Sequence, residues 1–103
     1  MRIEHITQQE LESEIKKVLA RHLSLEEHKV FFFGSRVSGR SSEYSDIDVG
    51  IKGPEPIDWQ TMAEIENDIE DLPFLYSIDV VDFSAVSPEF RGVAMQSVEY
   101  INV

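Results

Sequence analysis

The chain has 103 residues, 20 of them Asp or Glu and 9 of them Lys or Arg, so its formal net charge is −11. Its length and its apolar fraction of 42% are those of a globular protein, and we expect residues 1–103 to form a single domain. A chain of this charge repels phosphate backbones, which argues against general nucleic-acid binding unless metal ions intervene. The sequence has no cysteine, no membrane-length apolar run and no secretory leader, so we expect a cytoplasmic protein without disulfide bonds.

A capping box predicts the first helix. Thr7 and Glu10 are spaced so that each side chain can bond an unpaired amide at a helix start. Side chains of one stripe then recur at helical spacing, and we expect the helix to end between residues 23 and 26. The stripe is formed by Leu11, Ile15, Val18, Leu19 and His22. The histidine is expected at the edge of the core and not as a metal ligand.

Two strands flank a polar loop in the middle of the chain. In the segment 29–33, every residue after Lys29 is β-branched or aromatic, and the run stops at Gly34. This pattern is typical of a buried strand. Residues 38–45 are rich in Ser, Gly and Arg and predict a loop. Residues 46–51 then alternate polar and apolar side chains, as a half-buried strand does.

The second half of the chain predicts a helix, a strand and a last helix. Asp58 can cap the first of these helices, and residues 76–83 have the pattern of a strand. The apolar face of the first helix, expected in the core, consists of Trp59, Met62, Ile65, Ile69 and Leu72. Ser87 and Pro88 begin the last helix, and residues 101–103 add a turn or a short edge strand. The stripe of the last helix consists of Phe90, Val93, Ala94 and Ser97. The predicted fold is α+β, a small sheet of three to four strands covered by helices.

Acidic residues are concentrated in the second half of the chain. Between Gly53 and Phe90 there are ten acidic residues and no Lys or Arg. A run of this kind is commonly a solvated face, and it also suits docking onto a basic partner.

Asp46 and Asp48 are the first candidates for chemistry. Their side chains leave the same face of a strand, about 6–7 Å apart along it, and repel each other unless a cation lies between them. Mg²⁺ prefers such oxygen ligands and keeps waters that a substrate can replace. Asp79 on the third strand can add another carboxylate, whereas Asp82 projects from the opposite side of that strand.

Gly34 and Ser35 are candidates for binding phosphate. They directly follow a buried strand, where a glycine lets backbone amides approach a phosphate and a helix start offers unpaired donors. Arg36 and Arg40 place positive charge beside them.

The combined pattern closely resembles the minimal, MNT-type nucleotidyltransferases of the polymerase-β-like superfamily. It consists of Gly34-Ser35, ten intervening residues and then Asp46-Ile47-Asp48. The segment from Ile78 to Asp82 resembles the strand that carries the third carboxylate of that family, with Asp79 at the matching position. The resemblance extends over roughly residues 11–90 and implies that family's catalytic core fold.

The resemblance also implies the roles of these residues. Asp46, Asp48 and Asp79 are the expected catalytic residues and the ligands of two divalent ions, Mg²⁺ or Mn²⁺, which hold the substrate ATP. Gly34 and Ser35 are expected to bind its β- and γ-phosphates, with Arg36 beside them. Two metals can stabilise both the attacking and the departing oxygen in nucleotidyl transfer. Asp79 is also the expected aid in deprotonating the acceptor hydroxyl.

A helical HEPN-domain protein is the partner that the resemblance implies. Small MNT-type proteins are typically antitoxins paired with such a toxin. The implied reaction is AMPylation, the transfer of AMP from ATP to a tyrosine hydroxyl of a HEPN ribonuclease. Two alternatives stay open, namely a module that neutralises the ribonuclease by occlusion without catalysis, and a subunit that modifies a small molecule. Self-association into a homo-oligomer is open as well.

Overall fold

The computed structural model describes residues 7–34, 37, 46–74 and 76–102, which form an α+β fold. The helices in these ranges are α1 (Gln8–Ala20), α2 (Trp59–Glu70) and α3 (Pro88–Ala94). The strands are β1 (Lys29–Phe33), β2 (Ile47–Lys52), β3 (Ile78–Asp82) and β4 (Glu99–Tyr100). None of the described helices has the length and apolar character needed to cross a bilayer. The predicted fold class is confirmed.

Each of the three helices begins at the residue that its sequence predicts. The side-chain oxygens of Thr7, Asp58 and Ser87 each accept a hydrogen bond from the backbone amide three residues later. These bonds satisfy amides that have no partner inside the helix. Pro88 lies at the first helical position of α3, where its missing N–H costs no hydrogen bond.

The strands form one four-stranded sheet in the order β3-β2-β1-β4. Strand β1 is antiparallel to β2 and to β4, whereas β2 and β3 are parallel. The register pairs Phe33 with Asp48 and Asp48 with Asp79. The end of β1 therefore meets the beginnings of β2 and β3 in one row across the sheet.

The two faces of the sheet are packed differently. One face, which we call the helical face, lies against α1 and α2 and carries the main core. That core consists of Leu11, Ile15, Val18, Leu19, Val30, Phe32, Ile47, Val49, Ile51, Ile65, Ile69 and Ile101. The other, the aromatic face, carries a smaller cluster of Phe31, Phe33 and Phe83. Gly50 lies beneath that cluster, where a Cβ would collide with the rings of Phe31 and Phe83.

Several boundaries differ by a few residues from those predicted. Helix α1 ends at Ala20, yet the amide of Leu23 still donates to the carbonyl of Leu19 at 2.8 Å, so the chain keeps turning. Strand β3 is shorter than predicted and β2 is displaced by one residue. Strand β4 precedes its predicted position, and Ile101 follows it with its amide donating to the carbonyl of Val30 at 2.8 Å. Residues 38–45, which predict a loop, and Val103 lie outside the described residues.

Trp59 contradicts the prediction that it belongs to the core. It is the first residue of α2, and 82% of its side chain is exposed. The helix turns its apolar side to the sheet only from Met62 onward, while Ile57 packs against the core just before the helix. The placement of Trp59 in the core is therefore wrong.

His22 lies at the edge of the core, as predicted, and links α1 to α2. Its Nε2 is 2.7 Å from Oδ2 of Asp68, and its Nδ1 is 3.6 Å from Oε2 of Glu64. The imidazole is therefore engaged by carboxylates of α2.

Candidate active site

Asp48 and Asp79 are neighbours on the aromatic face of the sheet. They are directly paired in the parallel register of β2 and β3, whose spacing is about 4.8 Å in a sheet of this kind. Asp48 is half-buried and Asp79 is exposed. Asp46 lies just before β2 and is also exposed. The structure therefore brings two of the three predicted carboxylates together, with the third close by.

The surroundings of Asp48 disfavour the ionised form of its carboxyl group. Burial raises the pKa of the Asp48 carboxyl above its ordinary value, and the charges of Asp79 and Asp46 raise it further. A divalent cation coordinated by oxygen ligands relieves this repulsion, so the donor set fits Mg²⁺ or Mn²⁺. Across the described ranges, no three His, Cys, Asp or Glu side chains are close enough to hold one ion together. The three-carboxylate metal site consequently stays a prediction.

Gly34 ends β1 beside Asp48. Its φ of +83° lies in the left-handed region, which glycine adopts without steric cost. A Cβ built on Gly34 would also collide with Oδ2 of Asp48. Glycine is therefore required here both for the turn and for the close approach of backbone to carboxylate. Ser35 and Arg36, the other predicted phosphate-binding residues, lie outside the described residues.

A cavity of about 650 Å³ opens between the carboxylates and α3. Its lining includes Gly34, Asp48 and Asp79 from the sheet side, together with Phe90 and Val93 of α3. These last two residues belong to the predicted stripe of the last helix, yet they are 44% and 70% exposed, and none of the residues of α3 is buried. Phe90, Val93 and Ala94 lie on α3 as predicted, whereas Ser97 lies beyond its end at Ala94. The sequence carries no signal that distinguishes a core stripe from a cavity wall.

Asp82 serves the fold and not the cavity. It is nearly buried, and its carboxylate accepts hydrogen bonds from the amides of Ile57 at 2.7 Å and Ser84 at 2.9 Å. The alternation of β3 thus directs Asp79 and Asp82 to opposite sides, as the sequence predicts.

Comparison with known proteins agrees with this arrangement. The profile of the family "Polymerase beta, Nucleotidyltransferase" matches residues 10–101. The chain belongs to this polymerase beta nucleotidyltransferase family.

A protein with a sequence similar to this chain is the "Probable protein adenylyltransferase MntA" of Haemophilus influenzae. It is 30% identical over 67 residues, which are 65% of this chain and 59% of MntA. The chain thus matches less than two thirds of that relative's length.

Solved structures share the nucleotidyltransferase fold. One is a chain in the crystal structure of a toxin–antitoxin with AMP-PNP, with a TM-score of 0.71 and 20% identity over 87% of this chain and 71% of that one. Another is a chain in a structure of a tri-AMPylated Shewanella oneidensis HEPN toxin in complex with an MNT antitoxin. Its TM-score is 0.68, with 21% identity over 91% of this chain and 71% of that one. At these identities the likeness shows the fold.

Proposed function

We propose that this chain is a metal-dependent nucleotidyltransferase that transfers AMP from ATP to a hydroxyl group of a partner protein. The observation that carries the proposal is the pairing of Asp48 with Asp79 beside Gly34, in one cavity of a chain that belongs to this family. The relative named a probable protein adenylyltransferase supports AMP as the group transferred. The structural neighbour with bound AMP-PNP supports an ATP-like substrate.

The carboxylates would act together as ligands. Asp46, Asp48 and Asp79 are the residues that would hold Mg²⁺ or Mn²⁺, because Asp48 and Asp79 are paired across the sheet and the charges of Asp79 and Asp46 both act on Asp48. When bound, these ions would stabilise the negative charge that develops on the phosphoryl oxygens. Gly34, together with Ser35 and Arg36, would hold the β- and γ-phosphates.

The reaction proceeds by displacement at the α-phosphorus. The acceptor hydroxyl oxygen attacks this phosphorus, the bond to the bridging oxygen of the β-phosphate breaks, and pyrophosphate leaves with the electron pair. Asp79 is exposed and lines the cavity, so it is accessible to the proton that the hydroxyl releases. Such a proton acceptor must lie within hydrogen-bond reach of the attacking group.

The acceptor would be a tyrosine of a helical HEPN protein, and this chain would be its antitoxin. The support is the tri-AMPylated HEPN toxin in the neighbouring complex, together with the acidic run between Gly53 and Phe90, which suits a basic partner surface.

Intact-mass spectrometry tests the proposal. The protein is mixed with the product of its neighbouring gene, Mg²⁺ and ATP, and Asp46→Asn serves as the matched control. We expect the partner to gain whole AMP units only with the wild type. A partner that binds tightly but gains no mass with any of the four nucleotides would show instead that neutralisation occurs by occlusion.

A further inference from the structure

Helix α3 presents an apolar surface to the carboxylates. We call Phe90, Val93 and Ala94 the α3 wall, since all three line the cavity that also contains Asp48 and Asp79. Phe90 and Val93 are 44% and 70% exposed, although both are apolar. Apolar groups that line a cavity beside a few polar ones are typical of ligand pockets.

The position of the α3 wall is fixed by aromatic packing. The ring of Phe90 lies 6.3 Å from that of Phe33 and 5.7 Å from that of Phe83, measured between centroids. Arg91 holds the same helix to the sheet by donating from Nη2 to the carbonyl of Phe83 at 3.0 Å. These contacts therefore fix the position of the Phe90 ring. Its exposed part can contact a flat ligand without rearrangement.

The charges of the cavity restrict what the α3 wall can bind. Among the described residues that line it, the ionisable ones are Asp48 and Asp79, and none is Lys or Arg. A triphosphate can be held at the carboxylates through cations, but the rest of such a ligand gains nothing from ionic contacts with these residues. Besides the polar side chains of Gln96 and Ser97, the described lining offers the rest of such a ligand apolar and stacking contacts.

The volume agrees with an occupant larger than a phosphate group. The cavity measures about 650 Å³, and pockets for small ligands span about 300–1,000 Å³. Gly34 adjoins Asp48, so a nucleotide whose phosphates lie beside these residues would extend its nucleoside toward the part of the cavity that α3 lines.

We propose that the α3 wall is the nucleobase-binding surface of this site, with the base stacked on Phe90 and bordered by Val93. This inference rests on the proposed function, since it requires that the phosphates of a nucleoside triphosphate lie beside the carboxylates. It assigns nucleotide affinity to a helix that contributes no buried residue to the core.

Calorimetric binding of two probes tests this assignment without turnover. Mg·ATP carries both a base and a triphosphate, whereas Mg·tripolyphosphate carries the phosphates alone. We expect Phe90→Leu to weaken Mg·ATP about tenfold through lost stacking and to leave Mg·tripolyphosphate unchanged. Trp59→Leu is the matched control, because it removes an exposed aromatic ring outside the cavity, and it should change neither.

Val93→Ser provides a second variant that does not depend on aromatic packing. Because Val93 is 70% exposed, the fold tolerates the change, and a smaller loss for Mg·ATP alone is expected. Melting temperatures of all variants check that they are folded.

Three outcomes would overturn the proposal. An equal loss for both probes would mean that Phe90 only maintains the carboxylate site. Unchanged Mg·ATP affinity, with slower modification of the partner, would assign the α3 wall to the acceptor. A wild-type protein that binds neither probe would refute the proposed function. The assignment of the α3 wall to a nucleobase would then be refuted as well, because it rests on that function.

Discussion

The helical face and the aromatic face belong to the same strands, yet they perform different tasks. Along β2, Ile47, Val49 and Ile51 enter the core on the helical face. Asp48 and Gly50 alternate with them and lie on the aromatic face. The period of two in a strand thus separates the residues that stabilise the fold from those of the candidate site by a single step. Substitutions at the core residues of β2 and at Asp48 should therefore differ in their effects on stability and on the candidate site.

The largest expected effect on stability lies on the helical face. Ile65→Ala removes a fully buried side chain of α2 and leaves a cavity, which should lower the free energy of unfolding by about 2–5 kcal/mol. Val93→Ala is the control on the other side, where a 70% exposed side chain should change this quantity by less than about 0.5 kcal/mol. Urea denaturation measures both. Equal losses would refute the separation of the two faces.

Asp48→Asn should separate activity from stability. Loss of a carboxylate that would hold metal should lower the rate of partner modification by at least about a hundredfold. Without metal, the same change should raise the melting temperature, because it removes a half-buried charge that its neighbours Asp79 and Asp46 repel.

The rise in melting temperature expected for Asp48→Asn should depend on pH in a definite direction. Folding raises the pKa of Asp48 above the ordinary 3.8. At a pH between 3.8 and the raised pKa, the folded chain therefore binds more protons than the unfolded chain. The contribution of Asp48 to stability therefore falls as pH rises through that window, and the penalty is complete above it. Melting curves of wild type and Asp48→Asn should converge in acid and separate at neutral pH. Mg²⁺ should raise the wild-type melting temperature more than that of the variant, and identical responses would refute metal binding at Asp48.

The local parts of this structure are the ones that the sequence predicts well. The caps at Thr7, Asp58 and Ser87 depend on residues three positions apart, and the helices begin where these patterns place them. The alternation along β3 likewise placed Asp79 and Asp82 on opposite sides.

The parts that the sequence does not predict depend on distant segments. The register that sets Asp48 opposite Asp79 joins strands separated by a whole helix, and no local pattern specifies it. The exposure of Trp59 and the cavity beneath α3 follow from how each helix is docked. A helical stripe has the same spacing whether it faces a core or a ligand.

Gly34→Ala should affect the candidate site and, to a smaller degree, the fold. A left-handed φ costs a residue with a Cβ about 1–2 kcal/mol, and here the Cβ would also displace the carboxylate of Asp48. We expect lower stability in urea and weaker binding of Mg·tripolyphosphate. Gly92→Ala is the matched control, since its Cβ would have nothing within 4 Å and alanine favours the helix. A neutral Gly34→Ala would show that the backbone beside Asp48 is not tightly constrained.

The smallest expected effect concerns Asp58, which supports the helical face through the start of α2. The hydroxyl and the backbone amide of Thr61 donate to its carboxylate and hold its pKa below the ordinary 3.8. At a pH between the lowered pKa and 3.8, the unfolded chain binds more protons than the folded chain. The stabilisation by Asp58 is therefore complete above pH 3.8 and is lost as the pH falls through the lowered pKa. Asp58→Ala should therefore lower the urea midpoint at neutral pH. Asp58→Asn should lower it less, because asparagine also caps a helix. Asp58 and Asp48 are thus two aspartates whose contributions to stability change with pH in opposite directions. Stability differences of the same sign for Asp58→Asn and Asp48→Asn at neutral pH would contradict the division of the molecule into a stabilising face and a face that carries uncompensated charge.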